Sequence, residues 1–152
     1  MHISKHTDFA LRTLMYLGLK EGEGRCSIRE ISETFDISHN HLMKVVQKLS
    51  AASLVNGQRG KGGGIRLGKK PSDINIGKVV REFETGKPIV DCDTGPCRFK
   101  GHCKLEYAVD QAMSAFYNSL AEYTLADVLS NKSELEQTLH LFVKTPSGFL
   151  KK

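Results

Sequence analysis

Apolar residues recur along this chain mostly at helical spacing. Between His6 and Lys20, Phe9, Leu14 and Leu17 fall near one helical face, with Ala10 and Leu11 beside them. Thr7 is placed to cap this helix, which puts Asp8 in its first turn, and the run of residues 21–25 breaks it. Ser27 and Glu30 have capping-box spacing and open a short helix with Ile28, Ile31 and Phe35 on one side. Asp36-Ile37 predicts a tight turn. Ser38 then caps a longer helix over residues 39–54, in which Leu42, Val45, Val46 and Leu49 stand at i, i+3, i+4 and i+7. That stripe faces a core and leaves His39, Asn40, Met43, Lys44, Gln47 and Lys48 pointing outward. His41 falls between the two faces.

Two strand-like pieces follow. The glycine-rich residues 60–64 between them predict a hairpin tip, in preference to Asn56-Gly57. Ile76, Val79, Val80 and Phe83 mark a further helix. From Lys104 a long helix is expected to about Leu129, because Leu105, Val109, Ala112, Phe116, Leu120 and Tyr123 recur at steps of 3 or 4. Residues 133–143 form a shorter amphipathic piece, and the tail 145–152 is expected to be mobile. Helices followed by a basic hairpin are the winged helix-turn-helix order. The fold expected is mainly α, a winged helix-turn-helix with a small β-hairpin wing and a long dimerisation helix. Its parts are a DNA-binding domain (1–88), a cysteine loop (89–103), the dimerisation helix (104–130), and a C-terminal helix and tail (131–152). The long apolar stripe has no obvious partner within the chain, and either packs back on the first helices or, the favoured reading, forms a dimer seam. Helix-turn-helix proteins usually read two half-sites by two-fold symmetry, so a homodimer on a palindromic double-stranded operator is expected.

Charge turns this fold toward a polyanion. The net charge is +5, and residues 1–80 carry 13 Lys/Arg against 7 Asp/Glu, whereas residues 81–152 carry 9 against 10. No acidic residue lies between Asp36 and Asp73, yet Lys44, Lys48, Arg59, Lys61, Arg66, Lys69 and Lys70 all do. Such a block suits nucleic acid. The predicted DNA contacts are His39, Asn40 and Lys44 from the helix after Ser38, with Arg59 and Lys61 from the wing. Ser27 and Ser38 place helix N-termini toward phosphates. Asn40 can read adenine bidentately, and Lys44 can read guanine or meet phosphate. No apolar run approaches the roughly 20 residues of a membrane span, and no secretory pattern opens the chain, so a cytoplasmic location is expected. Phosphate-loop, nucleophile-elbow and HExxH motifs are absent, and an enzyme is not expected.

Three of the four cysteines form one group, Cys92, Cys97 and Cys103, spaced C-x4-C-x5-C. In a reducing cytosol such a group is a metal or redox site more often than a disulfide framework. Structural zinc usually shows closer pairs of ligands. These wider arms suit the separated iron corners of a cluster better than one tetrahedral ion. A zinc site completed by His102 is strained by its adjacency to Cys103, and Asp91 and Asp93 lie too close to Cys92 to share its metal. Three unliganded thiols on a loop containing Gly95-Pro96 are the alternative. Cys26 stands apart and reads as a small packed residue.

Residues 7–18 (TDFALRTLMYLG), 38–50 (SHNHLMKVVQKLS), the wing 59–68 (RGKGGGIRLG) and the cysteine triplet together resemble the Rrf2 winged-helix regulators, from Met1 to about Leu129. The triplet, with INIGKVVREFE before it and YTLADVL after the long helix, is most similar to that family's nitric-oxide-sensing iron–sulfur repressors. Relatives that regulate cluster assembly have two x5 arms and a His soon after the third cysteine, which this chain lacks. The resemblance implies a [4Fe-4S] cluster, with [2Fe-2S] as the alternative, held by Cys92, Cys97 and Cys103. It also implies Asp8 as the fourth ligand, reaching over from the partner subunit, with Arg12 pairing either Asp8 or the anionic cluster. The implied function is a dimeric repressor that loses operator affinity when nitric oxide reaches the iron. Two other readings stand beside it. One is an iron–sulfur regulator answering to cluster supply, oxygen or redox state. The other is a zinc-stabilised protein–protein adaptor with a basic face.

Overall fold

The helical stripes close around one apolar core in the computed structural model, which describes residues 3–60, 62–84, 90, 92, 97–99 and 101–143. Lys61, Asp91, Asp93, Gly95-Pro96 and the tail expected to be mobile lie outside the described residues. The elements are α1 (Lys5–Leu19), α2 (Ile28–Thr34), α3 (His39–Ala51), β1 (Val55–Gln58), β2 (Gly64–Leu67), a 3-10 turn (Pro71–Asp73), α4 (Ile76–Phe83), α5 (Lys104–Ala121), α6 (Leu125–Val128) and α7 (Lys132–Val143). This is the mainly helical winged arrangement expected.

The cap of α1 is Ser4, not Thr7. Ser4 Oγ accepts the Thr7 N–H at 3.3 Å. Thr7 lies inside the first turn, fully buried, and its hydroxyl donates to Glu84 Oε1. The same carboxylate oxygen accepts the Ser4 N–H at 2.7 Å. The half-buried Glu84 carboxylate draws Thr7 inward and leaves the cap to the hydroxyl one turn earlier. Asp8 still lies in the first turn. The box opening α2 forms as read: Glu30 N–H donates to Ser27 Oγ at 3.0 Å and Ser27 N–H to Glu30 Oε2 at 3.4 Å. Ser38 caps α3 by accepting from His41 N–H at 3.4 Å, and Leu42, Val45, Val46 and Leu49 are buried. The helix ends at Ala51 rather than near Leu54, because Ser53 takes a left-handed φ of 57° and turns the chain into β1.

The wing pairs Val55 with Leu67 and Gln58 with Gly64, antiparallel. Asn56-Gly57 lies within β1, so the tip is the glycine-rich stretch. A Cβ on Gly63 would strike the Gln58 carbonyl, which is why the turn takes glycine there. The backbone of Cys26 exchanges hydrogen bonds of 2.9 and 2.8 Å with Ile65, tying the α1–α2 loop to the wing. Cys26 is the packed residue expected, and burial pushes its thiol up to about 11.

The long C-terminal helix is shorter than its apolar stripe. Helix α5 ends at Ala121, and Thr124 and Asp127 form a second capping box that opens α6. Asn75 Nδ2 donates to the Ala121 carbonyl at 2.6 Å, Ile76 N–H to the Tyr123 carbonyl at 2.9 Å, and Leu125 N–H to the Ile74 carbonyl at 2.8 Å. The start of α4 and the end of α5 are thus bound back to back. Phe116, Tyr117 and Leu120 pack on the core, while at the other end Leu105 and Tyr107 are 60% and 68% exposed. Leu135 and Leu139 bring α7 onto the same core. Among the described residues no helix is long and apolar enough to cross a membrane.

Candidate functional site

The core-facing stripe of α3 fixes what the rest of that helix presents. His39, Asn40 and Lys44 are exposed on its outer side, as are His41 and Gln47, with Met43 40% exposed among them. Ser27 and Ser38 stand at the N-termini of α2 and α3, where backbone N–H groups lack intrahelical partners and suit phosphate oxygens. Arg59 is exposed at the end of β1, on the hairpin tip. Lys61 lies outside the described residues. These positions form a polar surface with no carboxylate contributed by α3 or the described wing residues.

One residue of the expected outer face points elsewhere. Lys48 is half-buried, its Nζ donates to the Glu82 carbonyl at 2.7 Å, and it lies 4.7 Å from the centroid of the Phe83 ring. Its place on the flank of the helix let periodicity assign it outward, but its long stem reaches α4. Arg25 was not among the predicted contacts. Its Nη1 donates to the Asn56 carbonyl at 3.3 Å and braces the wing. A lone cation ahead of a helix cap carries no sequence signal for that role. Behind this surface the Tyr16 hydroxyl donates to Glu30 Oε1 at 2.6 Å, linking α1 to the cap of α2. Burial, then the Glu30 carboxylate, raise the Tyr16 pKa.

The three grouped cysteines lie between α4 and α5. Cys92 is buried, Cys97 is exposed, and Cys103 is half-buried at the N-cap of α5, where its side chain makes no capping bond. Among the described residues no two cysteines are joined by a disulfide. His102 is exposed beside Cys103. Asp8 is on the outer side of α1, its Oδ1 2.9 Å from Arg12 Nε. Among the described residues of one protomer, no three His, Cys, Asp or Glu side chains converge on a metal position. The donors nevertheless fit iron in kind, being three reduced thiols and a 41% exposed carboxylate open to approach. The structure also joins the two regions within one protomer. Glu84, at the end of α4 on the way to Cys92, holds the turn of α1 that carries Asp8.

Comparison with known proteins adds to this geometry. The family described as "Rrf2: Iron-dependent Transcriptional regulator" matches residues 3–131. The chain is 41% identical over 138 residues to the HTH-type transcriptional regulator NsrR of Oceanobacillus iheyensis, covering 89% of this chain and 94% of that protein. It is 39% identical over 144 residues to the NsrR of Bacillus subtilis, covering 93% and 99%. The structure of IscR from T. potens matches with a TM-score of 0.70 at 22% identity, over 97% of this chain and 94% of that one, and shares the fold.

Proposed function

This chain belongs to the Rrf2 family of transcriptional regulators, and from that premise we propose that it is a homodimeric repressor that releases its operator in response to nitric oxide. It is a DNA-binding regulator and not an enzyme. The observation that carries the finer reading is the joining, in one chain, of an exposed α3 recognition face to three reduced cysteines spaced C-x4-C-x5-C. The likeness to regulators named NsrR, over nearly its whole length, supports it.

In this reading Cys92, Cys97 and Cys103 hold a [4Fe-4S] cluster, with Asp8 of the partner subunit as the fourth ligand. When bound, the cluster supplies iron with which nitric oxide reacts. A carboxylate is a harder and weaker partner for iron than a thiolate, so Asp8 would be the weakest of the four ligands. Asp8 ties the first helix of one subunit to the cysteine segment of the other, and so sets the separation of the two α3 helices. Arg12, 2.9 Å from Asp8, would pair with the carboxylate whenever it is not ligating. Both half-sites then weaken together, as a two-state dimer requires. His39, Asn40 and Lys44 enter the major groove, Arg59 and Lys61 follow the adjacent backbone or minor groove, and the helix ends at Ser27 and Ser38 meet phosphates.

The test is operator binding by the anaerobically purified dimer, with a duplex selected from a random library. The cluster-loaded form should bind roughly 5- to 150-fold more tightly than the apo form, and nitric oxide should remove that advantage. Oxygen and a chelator, applied separately, serve as the competing signals. Asp8→Ala should retain colour and lose most of the response. Equal binding by loaded and apo protein overturns the reading, and an unaltered response in Asp8→Ala removes Asp8 from it.

A further inference from the structure

We infer that Lys48 is a positioning residue through which the cysteine segment sets the orientation of the recognition helix in its own subunit. The inference rests on the cluster-dependent repressor proposed above and gives it a second, intrasubunit route.

Three observations carry it. The carbonyl of Glu82, in the last turn of α4, accepts from Lys48 Nζ at 2.7 Å. The same ammonium sits 4.7 Å from the ring centroid of Phe83, itself only 7% exposed. Lys48 lies in the last turn of α3, so the recognition helix caps the C-terminus of α4. Both ends of the cysteine segment are linked to that last turn of α4, one directly and one along α5. One end is covalent, since the chain leaves Glu84 toward Cys92. The other returns through α5, which starts directly after Cys103 and whose Tyr117 ring lies 4.6 Å from the Arg81 guanidinium. A shift of the segment at either end therefore moves the carbonyl and ring that grip Lys48, and α3 moves with them.

Lys48→Met keeps the apolar stem and removes the donor and charge, whereas Lys48→Arg keeps both. Each full-length variant is measured beside the wild type, loaded and apo, by fluorescence anisotropy on the selected duplex at several salt concentrations. Hydrogen exchange across residues 39–51 and thermal melts accompany the titrations. In Lys48→Met the loaded-to-apo affinity ratio should shrink roughly 3- to 30-fold, and the exchange difference between the two forms across α3 should shrink with it. Lys48→Arg should restore both. An equal loss in both forms with a shallower salt dependence makes Lys48 a phosphate contact and overturns the inference. So does an equal loss accompanied only by a lower melting temperature, or an unchanged ratio. A wild-type ratio of one brings down the repressor reading and this inference together. A large wild-type ratio that Lys48→Met leaves intact brings down this inference alone.

Discussion

Tyr16 illustrates how single residues bind this fold together across sequence distance. Its ring meets Phe35 edge-on at 5.9 Å, and its hydroxyl holds the carboxylate that completes the α2 cap. Burial and Glu30 raise its pKa above the ordinary value of 10.0. The unfolded chain gives up this proton near pH 10 and the folded chain keeps it, so the stabilisation is full below that pH and is lost as pH rises toward the folded value. Tyr16→Phe should cost about 1 kcal/mol at neutral pH. It should also flatten the fall in stability above about pH 10, read by urea melts across that range. The pair itself was not legible, since Tyr16 and Glu30 belong to different predicted helices. Thr7 shows the same limit. Ser4 and Thr7 are both capping residues by type, and Glu84, 77 residues away from Thr7, takes the Thr7 hydroxyl. Lys48 reads as outward by periodicity until the carbonyl of Glu82 is in place.

Elements were most legible where a cap and an apolar stripe agreed. Ser27 and Ser38 mark the starts of α2 and α3, and the buried stripe of α3 leaves His39, Asn40 and Lys44 exposed, as its period implies. They were least legible where the two signals disagreed. The apolar steps run on through Tyr123, but Thr124 with Asp127 ends α5 and starts another helix. That box is visible in the sequence, and the continuing period hides it. What enforces the break is tertiary, namely the bonds from Asn75 and Ile76 to the end of α5. The close approach depends on Gly77, where a Cβ would lie 2.7 Å from the Tyr117 carbonyl oxygen. Gly77→Ala should therefore push α4 from α5 and destabilise by about 1–3 kcal/mol despite its better helix propensity. A lower denaturant midpoint with unchanged slope is the expected result, and a midpoint equal to or above wild type contradicts it.

At the scale of the molecule the winged fold and its basic half were readable from patterning and charge. A complete cluster site was not readable by spacing, because the cysteines and Asp8 do not converge among the described residues of one protomer. The exposed end of α5 belongs to this scale too. Leu105→Glu should leave protomer stability within about 0.5 kcal/mol, since Leu105 is 60% exposed. It should still shift the protein to monomer in sedimentation and lower operator affinity by about a hundredfold or more, as one half-site replaces two. A stable dimer in that variant would remove α5 from the interface. The fixing of α5 near Ala121 has a mechanical side. Its 18 residues make a rod about 27 Å long, gripped at one end and bearing Cys103 at the other. A tilt of about 5° at the grip sweeps the cysteine end through about 2 Å. Read in reverse, the rod is a lever with its long arm at the cysteines. A bond made or broken there acts with mechanical advantage on the root, where α4 lies.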